Sequence, residues 1–138
     1  EYSQRTCADQ CPPSDVTFAI HVTEQFKWVA TDQGVGVLND QGDRPTWRII
    51  GLPHGLPASW VTALAGDGAE RVFVGTVRGL GVVEVIDDVP TVRTVQLVGG
   101  SLDCYVSALS YTADQLWVGS LEDGLSVWSV EENAALPP

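Results

Sequence analysis

Trp28-Val29-Ala30-Thr31 returns as Phe73-Val74-Gly75-Thr76 and again as Trp117-Val118-Gly119-Ser120, at intervals of 45 and 44 residues. A glycine follows each copy at one relative place: Gly34, Gly79 and Gly124. After it runs an alternating stretch, Val35-Gly36-Val37-Leu38, Leu80-Gly81-Val82-Val83 and Leu125-Ser126-Val127-Trp128. Upstream, Val16-Thr17-Phe18-Ala19 matches Val61-Thr62-Ala63-Leu64 and Val106-Ser107-Ala108-Leu109, 45 residues apart each time. Agreement at three places in three copies marks an internal repeat.

The repeated pieces are four to eight residues long, rich in Val, Thr, Ile and Trp, and separated by Gly and Asp. That is strand composition. No stretch keeps the i, i+3, i+4, i+7 apolar spacing of a capped helix. We read strands at residues 16–23, 27–31, 34–39 and 46–52 in copy one. Copy two has 60–65, 71–77, 79–86 and 92–98, and copy three 105–111, 115–121 and 124–131 with no fourth. Four strands in about 45 residues is the period of a β-propeller blade. The fold class is therefore all-β: a propeller segment of about three four-stranded antiparallel blades. The divisions are an arm at 1–14, blade one at 15–59, blade two at 60–104, and blade three at 105–138 without its outer strand. Trp28, Phe73 and Trp117 share one repeat position and are expected to fill the gaps between blades. Trp117→Ala should then cost far more stability than Trp47→Ala on an outermost strand.

Trp60-Val61-Thr62-Ala63-Leu64 with Val72-Phe73-Val74-Gly75-Thr76 and Gly79-Leu80 resembles the two-component-regulator type of propeller repeat. So does Val106-Ser107-Ala108-Leu109 with Leu116-Trp117-Val118-Gly119-Ser120 and Gly124-Leu125. Copy one is looser, with Ala30 for the strand glycine and Val35 for the leucine. The match covers roughly 15–131. The resemblance implies a propeller of the kind found in periplasmic sensor regions of bacterial hybrid histidine kinases. Val127-Trp128-Ser129 also looks like the end of a WD-type repeat, but the Gly-His partner of that family is missing.

Closed propellers have about four to eight blades. Three blades leave two apolar ends and a strand edge uncovered. The expected partners are a protein, further blades of the same polypeptide, or a second copy in a homodimer. The 138 residues contain no methionine and open on no charged-then-apolar leader, which favours a processed or excised chain.

The net charge is −11, from 18 Asp and Glu against 7 Lys and Arg. Nucleic acid and anionic membrane surfaces need clustered cations, so neither is an expected partner. No apolar run reaches the ~18–20 residues of a membrane-inserting helix.

Chemistry-bearing motifs are sparse. Nine serines include none in Gly-x-Ser-x-Gly, and there are two histidines, His21 and His54. His21 alternates with Ile20 and is expected to point away from the core. Asp87-Asp88 and Glu131-Glu132 are neighbours that would face opposite ways on a strand, so neither forms an acid/base pair. Asn39-Asp40-Gln41-Gly42-Asp43 lacks the twelve-residue ligand spacing of a calcium loop. We expect no enzyme, no cofactor and no metal. The candidate binding residues gather on one ring face: Trp60 and Tyr105 before the first strands, Asp32, Arg78 and Asp123 in the second turns, and His54 in the Gly51–Pro57 connection. The expected function is an extracytoplasmic ligand-sensing or protein-interaction module. The alternative is a structural accessory subunit or fragment completing a larger assembly.

Cys7 and Cys11 lie four apart in a polar arm, whereas Cys104 begins an apolar strand. A local Cys7–Cys11 disulfide with free Cys104 suits a periplasmic or secreted protein. Mass spectrometry of alkylated, unreduced protein is expected to show one labelled cysteine; three would remove both the bond and its support for export.

Overall fold

The structure is a computed structural model that describes residues 12–42, 45–67, 71–86, 89–94, 105–121, 124–129 and 134–136. Blade one comprises β1 (Thr17–Val22), β2 (Lys27–Thr31), β3 (Gly34–Asn39) and β4 (Thr46–Ile50). Blade two comprises β5 (Val61–Gly66), β6 (Arg71–Thr76), β7 (Gly79–Ile86) and β8 (Val89–Thr94). Blade three comprises β9 (Val106–Thr112), β10 (Gln115–Ser120), β11 (Gly124–Ser129) and β12 (Ala134–Leu136). Each blade is an antiparallel meander in chain order. The first strands lie innermost, β5 against both β1 and β9.

Two outer strands differ from the sequence reading. The expected strand at 92–98 starts earlier, because Ile86 pairs with Val89 across a two-residue connection. Pro90 argues against a central strand, but β8 is an edge, where proline is tolerated. Blade three, expected without a fourth strand, has a three-residue one, with Val127 paired to Leu136 and Ser129 to Ala134. Ala-Ala-Leu has little strand propensity and left no pattern to read.

The first strand of blade one is displaced by one residue from the sequence alignment. Thr17 pairs with Thr31 as Val61 pairs with Thr76 and Val106 with Ser120. Each ladder then skips a residue, so Phe18, Thr62 and Ser107 are bulged. A one-residue slip exchanges the faces of everything beyond it. Ile20, expected inward, is 68% exposed, and His21 turns toward blade two.

The core consists of two layers between blades. Trp28, Ala30, Val35, Val37 and Ile50 of blade one meet Val61, Val72, Val74 and Val83 of blade two. On its other side, blade two presents Ala63, Ala65, Phe73, Leu80 and Val82 to Val106, Leu116, Val118 and Trp128 of blade three. Phe73 stacks on Tyr111 of the next blade, with centroids 5.5 Å apart. The bulged Thr62 donates its hydroxyl to the Val106 carbonyl of β9 and also contacts the Gly75 carbonyl at 3.2 Å. This ties the two inner strands together. Trp28 is 1% exposed and Phe73 0%. Trp117 breaks the series at 38% exposure, since among the described residues no further blade packs on its side. Trp47, on β4, covers Gly36 instead, where a methyl group would come within 2.9 Å of its ring. The expected ordering of Trp117 above Trp47 therefore loses its basis.

At the first interface a Cβ on Gly66 would come within 2.3 Å of His21 Nε2. Glycine makes room for the imidazole, whose Nε2 is enclosed without a hydrogen-bond partner among the described residues. Burial pushes the His21 pKa below its ordinary value, against the opposing charge of Asp67. Asp67 is itself held by Arg71, Nε to Oδ2, at 2.9 Å.

Two outcomes follow from these layers. In the single, unassociated chain, Phe73→Ala should cost about 3–5 kcal/mol, and Trp117→Ala less, about 2 kcal/mol, because 38% of that residue already meets water; urea titration gives the order. Because folding lowers the His21 pKa, the unfolded chain binds its proton first on acidification. Stability should therefore fall as pH drops through about 6.5. His21→Gln should flatten the pH 7 to 5.5 profile of unfolding midpoints; parallel profiles would remove His21 from the balance.

Candidate ring-face site

The repeated Thr at the end of each second strand builds the turn that follows. Thr31 Oγ1 donates to the Gly34 carbonyl at 2.7 Å and accepts the Gln33 amide at 3.0 Å. Thr76 does the same with the Gly79 carbonyl at 2.9 Å and the Arg78 amide at 3.1 Å. Both threonines are fully buried. The glycine closing the first turn has φ +112°, and a Cβ on Gly34 would lie 2.5 Å from the Ile50 carbonyl oxygen. Any side chain there is excluded by conformation and by contact. The clipped turns hold Asp32 and Arg78 at one end of their blades.

Backbone hydrogen bonds bring the other candidates to that end. Val77 N–H donates to the Trp60 carbonyl at 3.2 Å, and Leu121 N–H to the Tyr105 carbonyl at 3.1 Å. Trp60 thus sits beside the Arg78 turn, and Tyr105 beside Leu121 at the end of β10. Asp123 lies outside the described residues, as do Cys7, Cys11 and Cys104. The Gly34 contact with Ile50 places the Asp32 turn beside the start of the His54 connection. His54 ends a single 3-10 turn, Leu52–His54, where its Nδ1 accepts the Gly51 amide at 3.1 Å. Its neutral form therefore carries the proton on Nε2. His54 and Arg78 are exposed, Asp32 and Tyr105 partly so, and Trp60 is 46% exposed. Asp32 Oδ1 is enclosed with no hydrogen-bond partner among the described residues.

The ladder register adds residues that the sequence reading missed. Val16 precedes Thr17 as Trp60 precedes Val61 and Tyr105 precedes Val106, so the three share one structural place. Phe18, the bulge residue of β1, packs on Trp60 with centroids 5.7 Å apart. Val16, Phe18, Leu52, Trp60 and Leu121 are all exposed at this end. Reading Val16 as the equal of Val61 hid the first two; an alignment allowing one deletion in copy one would have found them. The resulting face combines exposed apolar side chains with Arg78 and an acceptor at Asp32. Among the described residues no three His, Cys, Asp or Glu are grouped to hold a metal ion. No helix there is long and apolar enough to cross a membrane.

No family model matches the chain, and no curated protein matches it in sequence. Solved structures do. The chain is similar to the extracellular domain described as that of the hybrid two-component system BT3049 from B. thetaiotaomicron. The TM-score is 0.72 with 17% identity, over 97% of this chain and 19% of that one. It is also similar to the WD40 β-propeller domain of Doa1, with TM-score 0.66 and 14% identity, over 95% of this chain and 41% of that one. The chain spans less than half of either. At these identities the likeness is one of fold, and with the three blade-like sheets it makes this chain an arc of a β-propeller.

Proposed function

We propose that the chain is a non-enzymatic binding module, exposed outside the cytoplasm, that takes a ligand or protein segment on its ring face. The observation that carries this reading is the large apolar or aromatic residue repeated at one place in successive blades, exposed at Val16 and Trp60 and partly so at Tyr105. Core packing does not require large side chains there, and exposed aromatics are what contact surfaces select. Arg78 adds a cation, and the partly exposed Asp32 a carboxylate at the same end.

The histidines support the non-enzymatic part. His54 uses Nδ1 to close its own turn, while His21 packs against Gly66 in an inter-blade layer. The likeness to an extracellular domain of a two-component system supports an extracytoplasmic sensor setting. A propeller that docks proteins is the related reading, consistent with the WD40 likeness. The alternative is an accessory subunit that completes a larger assembly, favoured by the apolar ends of the arc.

The test is capture of partners from an extracytoplasmic extract with wild-type chain, Trp60→Ser, Arg78→Glu, and Thr112→Ala at the opposite end of the sheets. The two ring-face variants should retain a native far-UV spectrum and lose capture tenfold or more, while Thr112→Ala captures as wild type does. Equal capture by all four would move the binding surface elsewhere. A stoichiometric partner indifferent to the ring face would favour the subunit reading.

A further inference from the structure

The bulged residue of each first strand has one structural place but not one duty. In blade two it is Thr62, whose hydroxyl donates to the Val106 carbonyl and ties β5 to β9. In blade three it is Ser107. In blade one it is Phe18, which has no hydroxyl to offer β5 and lies tilted over Trp60 instead, with ring centroids 5.7 Å apart. Phe18 is 45% exposed and Trp60 46%, and neither belongs to the layer between blades one and two. The fold can fasten an inner seam with a hydroxyl, yet at this seam it holds two half-wet aromatic rings. Aromatic area kept in water at one defined spot is contact area for a partner.

Opposite charges flank the pair. Thr31, paired with Thr17 just before Phe18, opens the turn that carries Asp32 on blade one. The Val77 amide bonded to the Trp60 carbonyl belongs to the turn that carries Arg78 on blade two. Asp32 is partly exposed and Arg78 exposed, and neither joins an ion pair among the described residues.

We propose that the Phe18–Trp60 ledge takes an extended segment of a protein partner. An apolar side chain of the segment lies on the two rings, a basic residue on one side of it faces Asp32, and an acidic residue on the other faces Arg78. This rests on the ring-face reading and names its occupant. A neutral ligand covering the ledge would strip water from Asp32 and Arg78 and give neither a counter-charge. An anionic surface or polymer would be repelled by a chain of net charge −11. The two charges stand on turns of different blades, so the occupant must carry separated ionised groups with an apolar group between them. Successive side chains of an extended polypeptide supply that arrangement.

Panning a phage-displayed peptide library on the 138-residue chain is expected to enrich peptides with an apolar residue between a Lys or Arg and an Asp or Glu. A synthetic peptide of the enriched sequence should bind Phe18→Thr tenfold or more weakly. The unfolding midpoint of that variant should stay at or above wild type, because its hydroxyl takes the place that Thr62 gives its own. Arg78→Glu should weaken the same peptide tenfold or more, with recovery when the peptide's acidic residue is replaced by Lys. Asp32→Lys should do likewise, with recovery when the peptide's basic residue is replaced by Glu. Enrichment without this charge pattern, or charge exchange without recovery, would overturn the proposal. A lowered Phe18→Thr midpoint would show Phe18 fastening the seam and overturn it too. If peptides lacking the pattern still lose binding on Trp60→Ser, the ring-face reading survives that failure. Peptides indifferent to Phe18, Trp60 and Arg78 would overturn both.

Discussion

A single four-stranded blade has two faces to hide and no means of covering either. This structure answers by stacking. Blade two gives Val72 and Val74 to one neighbour and Phe73 and Val82 to the other, alternating along the same strands. All of its core is thus shared property. The close approach of the inner strands, fastened by Thr62 to the Val106 carbonyl, sets the spacing at which these layers interdigitate. Loss of that spacing would open cavities in a packed interior, where each missing contact is felt.

The same logic explains which parts were legible in the sequence. Residues with one fixed duty in every blade repeat visibly: the Thr that clips a turn, the Gly that closes it, the aromatic that seats on the next blade. Their combined period identified the propeller, because only a blade demands all of them in that order. Residues whose environment depends on position along the arc were misread. Trp117 has the repeat position of a buried aromatic and is 38% exposed. Ile20 and His21 exchanged roles because blade one is a residue shorter ahead of its second strand, and the alternation that usually settles orientation restarts after the bulge at Phe18. β12 escaped notice because Ala134–Leu136 is held by backbone pairing and carries no pattern of its own.

The candidate site was legible only as a location. The turns and strand entries could be placed on one face from the repeat, and the backbone bonds from Val77 to Trp60 and from Leu121 to Tyr105 give that face its geometry. Side-chain chemistry there follows no period, since Asp32 and Arg78 occupy like turns with opposite charge. A binding surface departs from the repeat by nature, whereas a core conforms to it. That is why the scaffold could be read from one sequence and the ligand could not.

The threonine clip has a consequence for how such a surface changes over time. In each described clip the hydroxyl, the closing glycine and backbone amides carry the turn, so the side chains of the two residues between them, Asp32-Gln33 and Val77-Arg78, take no part in the clip. Those pairs behave as exchangeable cartridges in a fixed holder. Substitutions there can retune recognition one blade at a time at little cost to folding, so a lineage of such arcs can diversify what it binds while its interior stays still.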